Sequence, residues 1–274
     1  MLDGTVRNWM SSPVITVTPE TSLTDARKII EENQIRALPV MKGDLLVGIV
    51  TKRGLLRLDL SKLNIASRDL SPEKISDVMT TKPLTLLPEA LIPKAARIML
   101  ENKITALPVV EGGKILGILT NSDLLRFILV EYPGLKNVIR VKHYMTDEVV
   151  TIEKATTLLE AHRLMGTKRI RSLPVMENGV LVGLVTRTDL MSSDPSRLVS
   201  RENQEISLKI LTQPVEKIMT KEVITISPEA ELAAAARLML DHKIHCLVVM
   251  DEKNKMAGII TESDLFLMVV QKFF

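Results

Sequence analysis

The stretch ALPVVEGGKILGILTNSD, residues Ala106–Asp123, contains the pattern that decides the fold. Two runs of β-favouring residues, Ala106–Val110 and Lys114–Thr120, flank the turn Glu111-Gly112-Gly113. Apolar runs of this length around a glycine turn predict a β-hairpin. The hairpin leads directly into Thr-x-x-Asp, from Thr120 to Asp123, where a helix is expected to begin.

Helical periodicity is present on both sides of this hairpin. Before it, apolar residues recur three and four positions apart, which predicts a helix with one apolar face. They are Ile92, Ala95, Ala96, Met99 and Leu100. After the hairpin, Leu124, Leu125 and Ile128 start a second amphipathic helix. Upstream, Pro83–Leu87 predicts a short strand closed by Pro88, because proline cannot join a helix interior or a central ladder. The predicted unit is therefore β-α-β-β-α.

The same order of residues occurs four times in the chain. Each copy opens with a methionine, has a threonine six residues later, and carries a glycine in its second hairpin strand. The methionines are Met10, Met79, Met145 and Met219, and the glycines are Gly48, Gly117, Gly183 and Gly258. The separation of methionine and glycine is 38 residues in the first three copies and 39 in the fourth. A unit of about 50 residues leaves an apolar face open, so each copy is expected to pair with a neighbour.

The connection between the second and third copies carries the turn signal Tyr132-Pro133-Gly134. We therefore expect two domains, residues 1–132 and 133–274, each holding one pair of copies. The copies span about 10–58, 79–128, 145–192 and 219–270. The predicted fold class is α/β (α+β), with four β-α-β-β-α repeats paired into two modules. The alanine-rich segment Ala233–Ala236 predicts close helix packing where paired units meet.

These motifs resemble the CBS domain family, whose units pair into Bateman modules. The resemblance rests on Ala-Leu-Pro-Val at 37–40 and 106–109, on Ser-Leu-Pro-Val at 172–175, and on Gly-h-h-Thr-x-x-Asp, where h is apolar. It covers nearly the whole chain, and four units in one chain are also similar to the gamma subunit of AMP-activated protein kinase. The resemblance implies adenosine ligands such as AMP, ADP or ATP in clefts between sheets, with no other cofactor required.

Three copies end in Thr-x-x-Asp, and the resemblance implies that Asp123, Asp189 and Asp264 accept hydrogen bonds from ribose hydroxyls. A carboxylate suits this role because charge-assisted hydrogen bonds are strong. The hydroxyls expected near ligand hydroxyls or phosphates are Thr120, Ser122, Thr186, Thr188, Thr261 and Ser263. A second interpretation stays open, because Thr-x-x-Asp before an apolar helix is also a capping box. Both can hold at once, since a ligand can replace one cap contact.

The first hairpin strand carries a recurrent position occupied by Arg36, Thr105, Arg171 and His245. The resemblance implies that basic residues here meet phosphates and that the preceding isoleucine helps to hold adenine. The isoleucines predicted to form this adenine wall are Ile104, Ile170 and Ile244. The alternative is that the arginines are cations at exposed helix ends, where positive charge is favoured.

The first copy departs from the pattern, because Gly54 stands where its siblings have aspartate. Its cleft is expected to bind nothing or to bind weakly. Lys52 and Arg53 are expected to offer positive charge to phosphates held by a neighbouring unit.

Composition excludes several classes of protein. Apolar residues form 46% of the chain and charged residues 25%, as in folded soluble proteins. No apolar stretch approaches the roughly 20 residues of a membrane span, and Met1–Met10 lacks the apolar core of a signal peptide. A net charge of +3 with 3% aromatic residues disfavours nucleic acid binding. The single cysteine, Cys246, cannot form an internal disulfide, so a cytoplasmic location is expected.

The sequence contains no recognisable catalytic or metal-binding motif. Ser-His-Asp and Cys-His sets at known spacings, phosphate loops and dinucleotide fingerprints are absent. The histidines show no metal-ligand spacing beyond a weak His-x-x-His. The protein is therefore expected not to be an enzyme and to bind no metal.

Three functional hypotheses follow. The leading one is a regulatory sensor of adenine nucleotides that acts on a partner on a separate chain. The second keeps the site but changes the ligand to S-adenosylmethionine or a related thioether, against which the basic residues argue. The third is a ligand-free scaffold or oligomerisation module, for which a homodimer is one assembly.

Overall fold

The computed structural model describes residues 4–56, 74–131, 138–193 and 209–273, and each copy folds as a β-hairpin with helices on one face. The helices are α1 (Leu23–Glu32), α2 (Lys52–Leu56), α3 (Ile75–Val78), α4 (Ile92–Asn102), α5 (Asn121–Glu131), α6 (Leu158–Lys168), α7 (Arg187–Ser192), α8 (Leu232–Asp241) and α9 (Glu262–Lys272). The strands are β1 (Ala37–Lys42), β2 (Leu45–Thr51), β3 (Thr80–Thr81), β4 (Ala106–Glu111), β5 (Lys114–Thr120), β6 (Ile152–Glu153), β7 (Ser172–Glu177), β8 (Val180–Thr186), β9 (Thr225–Ile226), β10 (Cys246–Met250) and β11 (Met256–Thr261). Short 3₁₀ helices occupy Val6–Asn8, Val141–His143 and Val215–Lys217.

The second copy confirms most of the local predictions. Its hairpin pairs β4 with β5 in antiparallel register, from Ala106 opposite Thr120 to Glu111 opposite Lys114. Helix α4 buries the predicted apolar face and begins with Pro93 in its first turn, where the missing N–H removes no helical hydrogen bond. The strand expected at 83–87 was wrong in extent, because only Leu86 forms a bridge, to Val109.

An exchange of opening segments holds neighbouring copies together. The methionine that opens each copy lies over the glycine in the second hairpin strand of the paired copy, where it is the closest side chain to that glycine. Met79 contacts Gly48 and Met10 contacts Gly117, while Met219 contacts Gly183 and Met145 contacts Gly258. A Cβ built on Gly48 would lie 2.6 Å from the Met79 sulfur, so the methionine leaves no room for a side chain. The recurrence of methionine and glycine at a fixed distance therefore records contacts between copies.

Each opening segment crosses from one sheet to the other. In the first copy, Ser11 bridges Ile118 on the sheet of the second copy, and Val17 then bridges Val40 on its own sheet. In the second copy, β3 pairs with β2 of the first copy before Leu86 reaches β4. The third and fourth copies make the equivalent pair of crossings. The chain is therefore shared between the two sheets of each pair.

Small residues at the start of the first hairpin strands line the contact between paired sheets. Ala37 and Ala106 cluster with Ile49 and Ile118 in the first pair. In the second pair the equivalent residues are Ser172 and Cys246, and the Sγ of Cys246 lies 3.2 Å from the Oγ of Ser172. Short side chains let the two sheets approach closely. The boundary predicted at Tyr132-Pro133-Gly134 lies outside the described residues, so the division at 132/133 stays a prediction.

Helices, in contrast, join the second copy to the fourth. Helix α4 packs on α9, and α5 packs on α8, within one continuous apolar core. Fully buried Ala235 and Ala236 belong to this core, so the predicted close helix packing joins copies from different pairs. Phe127 of α5 makes edge contacts with Trp9 and Phe273, at ring-centroid distances of 5.3 and 5.2 Å. Helices α2 and α7 bring the first copy against the third.

The exchange predicts that the second-strand glycines tolerate no side chain. A Cβ on Gly258 would lie 2.6 Å from the backbone oxygen of Thr146. We expect Gly258→Ala to destabilise the protein by about 1–3 kcal/mol, because backbone must move to accept the methyl group. Gly166→Ala, on α6, is the matched control, since a Cβ there has no neighbour within 4 Å beyond its own helix. It should raise the free energy of unfolding by about 0.5–1 kcal/mol. Urea denaturation measures both changes, and equal stability of the two variants would contradict the exchange.

Candidate functional site

A cavity of about 1120 Å³ lies where the four copies meet. Its described walls include Arg36 and Thr51 from the first copy, Thr105 from the second, Arg171 from the third and His245 from the fourth. Pockets for small ligands usually measure about 300–1,000 Å³. This cavity therefore has room for a large ligand or for parts of more than one.

The recurrent position predicted to contact phosphates converges in this cavity. Arg36, Thr105, Arg171 and His245 all line it. Each lies one residue before its hairpin strand rather than within it, where the chain bends from the preceding helix into the sheet. Because the sheets pair through the next residue, the bends of all four copies point towards the centre. Copies distant in sequence thus contribute to one site.

Positive charge dominates the cavity. Among its described lining residues, seven are lysine or arginine and three are aspartate or glutamate. The cations are Arg36, Lys52, Lys82, Lys103, Arg171, Arg187 and Lys243, and the acids are Glu31, Asp77 and Glu262. The whole chain carries a net charge of only +3. The excess of positive charge is therefore concentrated here, which favours an anionic ligand.

Arg36 joins the first copy to the fourth across the cavity. Its Nη1 lies 3.6 Å from Oε1 of the buried Glu262, and its Nη2 donates to the backbone oxygen of Lys243 at 3.0 Å. The Lys243 ammonium in turn donates to the side-chain oxygen of Gln34. Arg36 is therefore positioned by the fourth copy and is not a free cation at a helix end.

His245 enters the cavity as a neutral group. Burial, followed by the charges of Arg171 and Arg36, lowers the pKa of His245 from 6.5 to about 4. Its Nε2 lies 3.0 Å from the hydroxyl of Ser172. The imidazole was predicted to act as a basic contact, but at neutral pH it offers a hydrogen bond and no charge.

The aspartates of Thr-x-x-Asp cap their helices. In each, Oδ2 accepts hydrogen bonds from the backbone N–H and the hydroxyl of the threonine three residues earlier. The distances are 2.7 and 2.7 Å for Asp123, 2.8 and 2.7 Å for Asp189, and 2.7 and 2.8 Å for Asp264. The capping box is thus confirmed for Asp189 and Asp264. For Asp123 the carboxylate makes the same contacts with Thr120. The ribose role of all three stays a prediction.

The second carboxylate oxygen distinguishes these aspartates. Oδ1 of Asp123 accepts hydrogen bonds from Nη1 of Arg126 at 2.8 Å and from the hydroxyl of Ser11 at 3.5 Å, and Asp123 is fully buried. Burial raises the pKa of Asp123 and of Asp264. Within the described part of the chain, no other residue donates a hydrogen bond to Oδ1 of Asp189 or to Oδ1 of Asp264. None of the three aspartates is among the described lining residues of the cavity. Oδ1 of Asp189 and of Asp264 can accept a ligand hydroxyl without loss of the cap, whereas Oδ1 of Asp123 already accepts from Arg126.

A scan with family models matches the CBS domain at residues 6–61, 75–130, 141–195 and 215–270. The chain belongs to the CBS domain family. The MJ1225 protein of Methanocaldococcus jannaschii is 28% identical over 268 residues, which cover 92% of this chain and 94% of MJ1225. The crystal structure of MJ1225, described as a candidate archaeal homologue of γ-AMPK, superposes with a TM-score of 0.75 and 26% identity over 96% of this chain and 99% of that one.

A second solved structure supports the fold alone. It is a conserved protein of Pyrococcus horikoshii, with a TM-score of 0.67 and 24% identity over 97% of this chain and 100% of that one. The prediction of four CBS repeats is therefore confirmed. Across the described ranges, no helix combines the length and the apolar character needed to cross a bilayer.

Other residues predicted from the CBS motifs divide between cavity and core. Of the predicted adenine wall, Ile104, Ile170 and Ile244 all pack against the helical cores, and only Ile104 is also among the described lining residues of the cavity. Of the hydroxyl groups, Thr188 lines the cavity. The others, Thr120, Ser122, Thr186, Thr261 and Ser263, are not among its lining residues.

The first CBS repeat contributes more to the cavity than the missing aspartate suggested. Gly54 and Lys52 both line it, together with Lys82 from the segment that crosses over its sheet. The side chain of Arg53 lies outside the described residues. Thr51 caps its helix without an aspartate, accepting from the Gly54 N–H at 3.0 Å.

The residue that follows the threonine at the end of each hairpin was predicted as a site residue only in the first repeat, where it is Lys52. Sequence reasoning missed it in the other three repeats, where it is Asn121, Arg187 and Glu262. Lys52, Arg187 and Glu262 line the cavity, and Nδ2 of Asn121 donates to Oε2 of Glu262. The signal was present as a polar or charged residue in every CBS repeat. It was lost because a charge in the first turn of a helix is ordinarily solvated.

The lowered pKa of His245 predicts an acid-sensitive contribution to stability. Between about pH 6.5 and 4, His245 is protonated in the unfolded chain but neutral in the folded protein. The free energy of unfolding therefore falls as the pH falls through this range. The loss from this residue should reach about 3 kcal/mol. His245→Gln should flatten this fall in urea denaturation between about pH 7 and 4.5. His162→Gln, at an exposed position on α6, is the control, and a parallel fall in both variants would contradict a neutral His245.

Proposed function

We propose that this CBS protein is a non-catalytic sensor of adenine nucleotides, AMP, ADP or ATP, that regulates a partner on a separate chain. The observation that carries the proposal is the convergence of the recurrent bend position from all four repeats in one positively charged cavity. The similarity to MJ1225, described as a candidate archaeal homologue of γ-AMPK, supports it over nearly the full length of the chain.

The phosphates of the nucleotide are proposed to lie in the central cavity. Arg36 and Arg171 offer guanidinium groups from two different pairs, and guanidinium binds phosphate through two parallel hydrogen bonds. Lys52 and Lys243 add charge from the first and fourth repeats. A phosphate near His245 would raise the pKa of its imidazole, because a negative charge favours the protonated form.

The ribose is proposed to contact Asp189 or Asp264. Each keeps one carboxylate oxygen for the helix cap and leaves the other without a partner among the described residues. Thr188, which precedes Asp189, lines the central cavity and would connect a ribose there with the phosphate region. The Asp123 position is proposed to stay unoccupied, since Arg126 already neutralises its carboxylate.

Such a ligand would report its presence through the arrangement of the repeats. Residues from different pairs surround the cavity, so a bound anion favours the arrangement in which their cations lie close together. A ligand shifts an equilibrium by its difference in affinity for the two states. The separate partner is proposed to recognise that difference.

Two alternatives remain candidates for the same module. S-adenosylmethionine carries positive charge beyond its ribose, and the excess of cations in the cavity disfavours it. A ligand-free scaffold is favoured by the complete capping boxes, because they explain Thr-x-x-Asp without a ligand. Competition between S-adenosylmethionine and AMP separates the first alternative, and a silent ligand panel would support the second.

The proposal predicts stabilisation by adenine nucleotides. At about 100 times Kd, AMP, ADP or ATP should raise the melting temperature by about 5 °C. Asp189→Ala and Asp264→Ala should each weaken binding at one site by about 10- to 100-fold, as expected for a lost hydrogen bond to a charged group. Isothermal titration measures both affinity and stoichiometry. No effect of any adenosine compound at millimolar concentration would overturn the proposal.

A cap elsewhere in the chain provides the matched control. Glu160 forms the same box at the start of α6, accepting from the Thr157 N–H at 2.9 Å and its hydroxyl at 2.8 Å. This helix precedes the hairpin of its repeat, whereas Asp189 and Asp264 lie on the helices that follow a hairpin. Glu160→Ala should lower stability as the aspartate variants do and leave nucleotide affinity unchanged. Equal loss of affinity in all three would indicate that the aspartates act only through folding. Mass spectrometry of the protein after mild purification would identify the bound species directly.

A further inference from the structure

A buried carboxylate, that of Glu262, lies among the cations that line the cavity. Glu262 opens α9, its side chain is only 4% exposed, and it lines the cavity with Arg36 and Arg171. An ionised side chain is almost never buried to this degree unless it is paired. Its presence inside an anion-binding site therefore requires an explanation.

Two neighbours hold Glu262 in place. The Nδ2 of Asn121, itself 4% exposed, donates to Oε2 at 2.6 Å, and Nη1 of Arg36 lies 3.6 Å from Oε1. Asn121 belongs to the second repeat and Arg36 to the first, so the carboxylate of the fourth repeat joins both. Burial raises the pKa of Glu262, and the contacts with Asn121, Arg36 and Arg171 oppose that rise.

The other repeats place no carboxylate at this position. The equivalent residues are Lys52, Asn121 and Arg187. A cation or an amide at the start of these helices is compatible with bound phosphate, whereas a carboxylate repels it. The charge at this position, which affects the binding of an anionic ligand, therefore differs among the repeats.

We propose that Glu262 is a specificity-determining residue that limits how many phosphate groups the central cavity accepts. This inference rests on the proposed binding of nucleotide phosphates in that cavity. In the ligand-free protein, the Glu262 carboxylate partly neutralises the charge of Arg36 and so reduces the repulsion between Arg36 and the neighbouring cations. When a phosphate approaches, the carboxylate competes for the same guanidinium and repels the added negative charge.

The discrimination follows from the number of charges that Glu262 meets. A single phosphate group can bind among the remaining cations at a distance from the carboxylate. A triphosphate must place further negative groups close to the carboxylate, where Coulomb energies near the protein exceed those in bulk water. Glu262 therefore weakens ATP binding more than AMP binding.

The test compares nucleotide affinities of wild type, Glu262→Gln and Glu262→Asp by isothermal titration. Measurements at about pH 8 without divalent cations keep the nucleotides fully charged and favour the ionised form of the Glu262 carboxyl, whose pKa burial raises. Glutamine preserves an oxygen for the Asn121 hydrogen bond and removes the charge. We expect Glu262→Gln to bind ATP about tenfold more tightly and AMP about two- to threefold more tightly. Glu262→Asp, which keeps the charge, should retain the wild-type ratio of the two affinities.

Glu252→Gln supplies the control, because it makes the same change in net charge at the exposed turn between β10 and β11. It should leave both affinities unchanged. An unchanged ratio of ATP to AMP affinity in Glu262→Gln, with binding otherwise intact, would overturn the inference and leave the proposed function standing.

A parallel titration with inorganic phosphate and tripolyphosphate separates the two proposals further. A gain for tripolyphosphate in Glu262→Gln would support the inference without involving adenosine. If neither nucleotides nor polyphosphates bind any of the variants, both the inference and the proposed function fail.

Discussion

The contact between an opening methionine and a glycine on the neighbouring sheet decides how the CBS repeats assemble. Because the methionine occupies the place of a side chain on that glycine, the glycine cannot be replaced without a shift of the methionine or of the backbone beside it. The contact commits each opening segment to cross from one sheet to the other. Two repeats that share their chains in this way form a pair whose sheets meet through small residues such as Ala37 and Ala106.

The central cavity is a consequence of that pairing. Sheets that touch through the first residue of a hairpin strand bring the preceding bends together, and those bends carry Arg36, Arg171 and His245. The helical core that joins the second repeat to the fourth then sets one pair against the other. No single repeat, and no single pair, supplies all the charges that surround the space.

The stability of the protein and the proposed nucleotide binding involve the same polar groups in this arrangement. Asp189 and Asp264 use one oxygen to cap a helix and leave the other available, while Asp123 is closed by Arg126. Glu262 accepts a hydrogen bond from the Asn121 amide and lies beside the Arg36 guanidinium, and these contacts offset the cost of burying its charge. The same carboxylate repels a ligand that carries several negative charges. Differences among the repeats therefore arise from their neighbours as well as from their own motifs.

The sequence by itself determined the fold of each unit, because helix and strand periods, turn glycines and the fourfold recurrence are local patterns. It also identified the bend position that reaches the cavity. Only the tertiary structure decided that Ile170 and Ile244 pack against the cores, that burial and two arginines lower the pKa of His245, and that Glu262 lies among cations. The physical reason is that burial and charge at these positions come from residues of other repeats, and a local sequence pattern carries no information about which repeat will lie alongside.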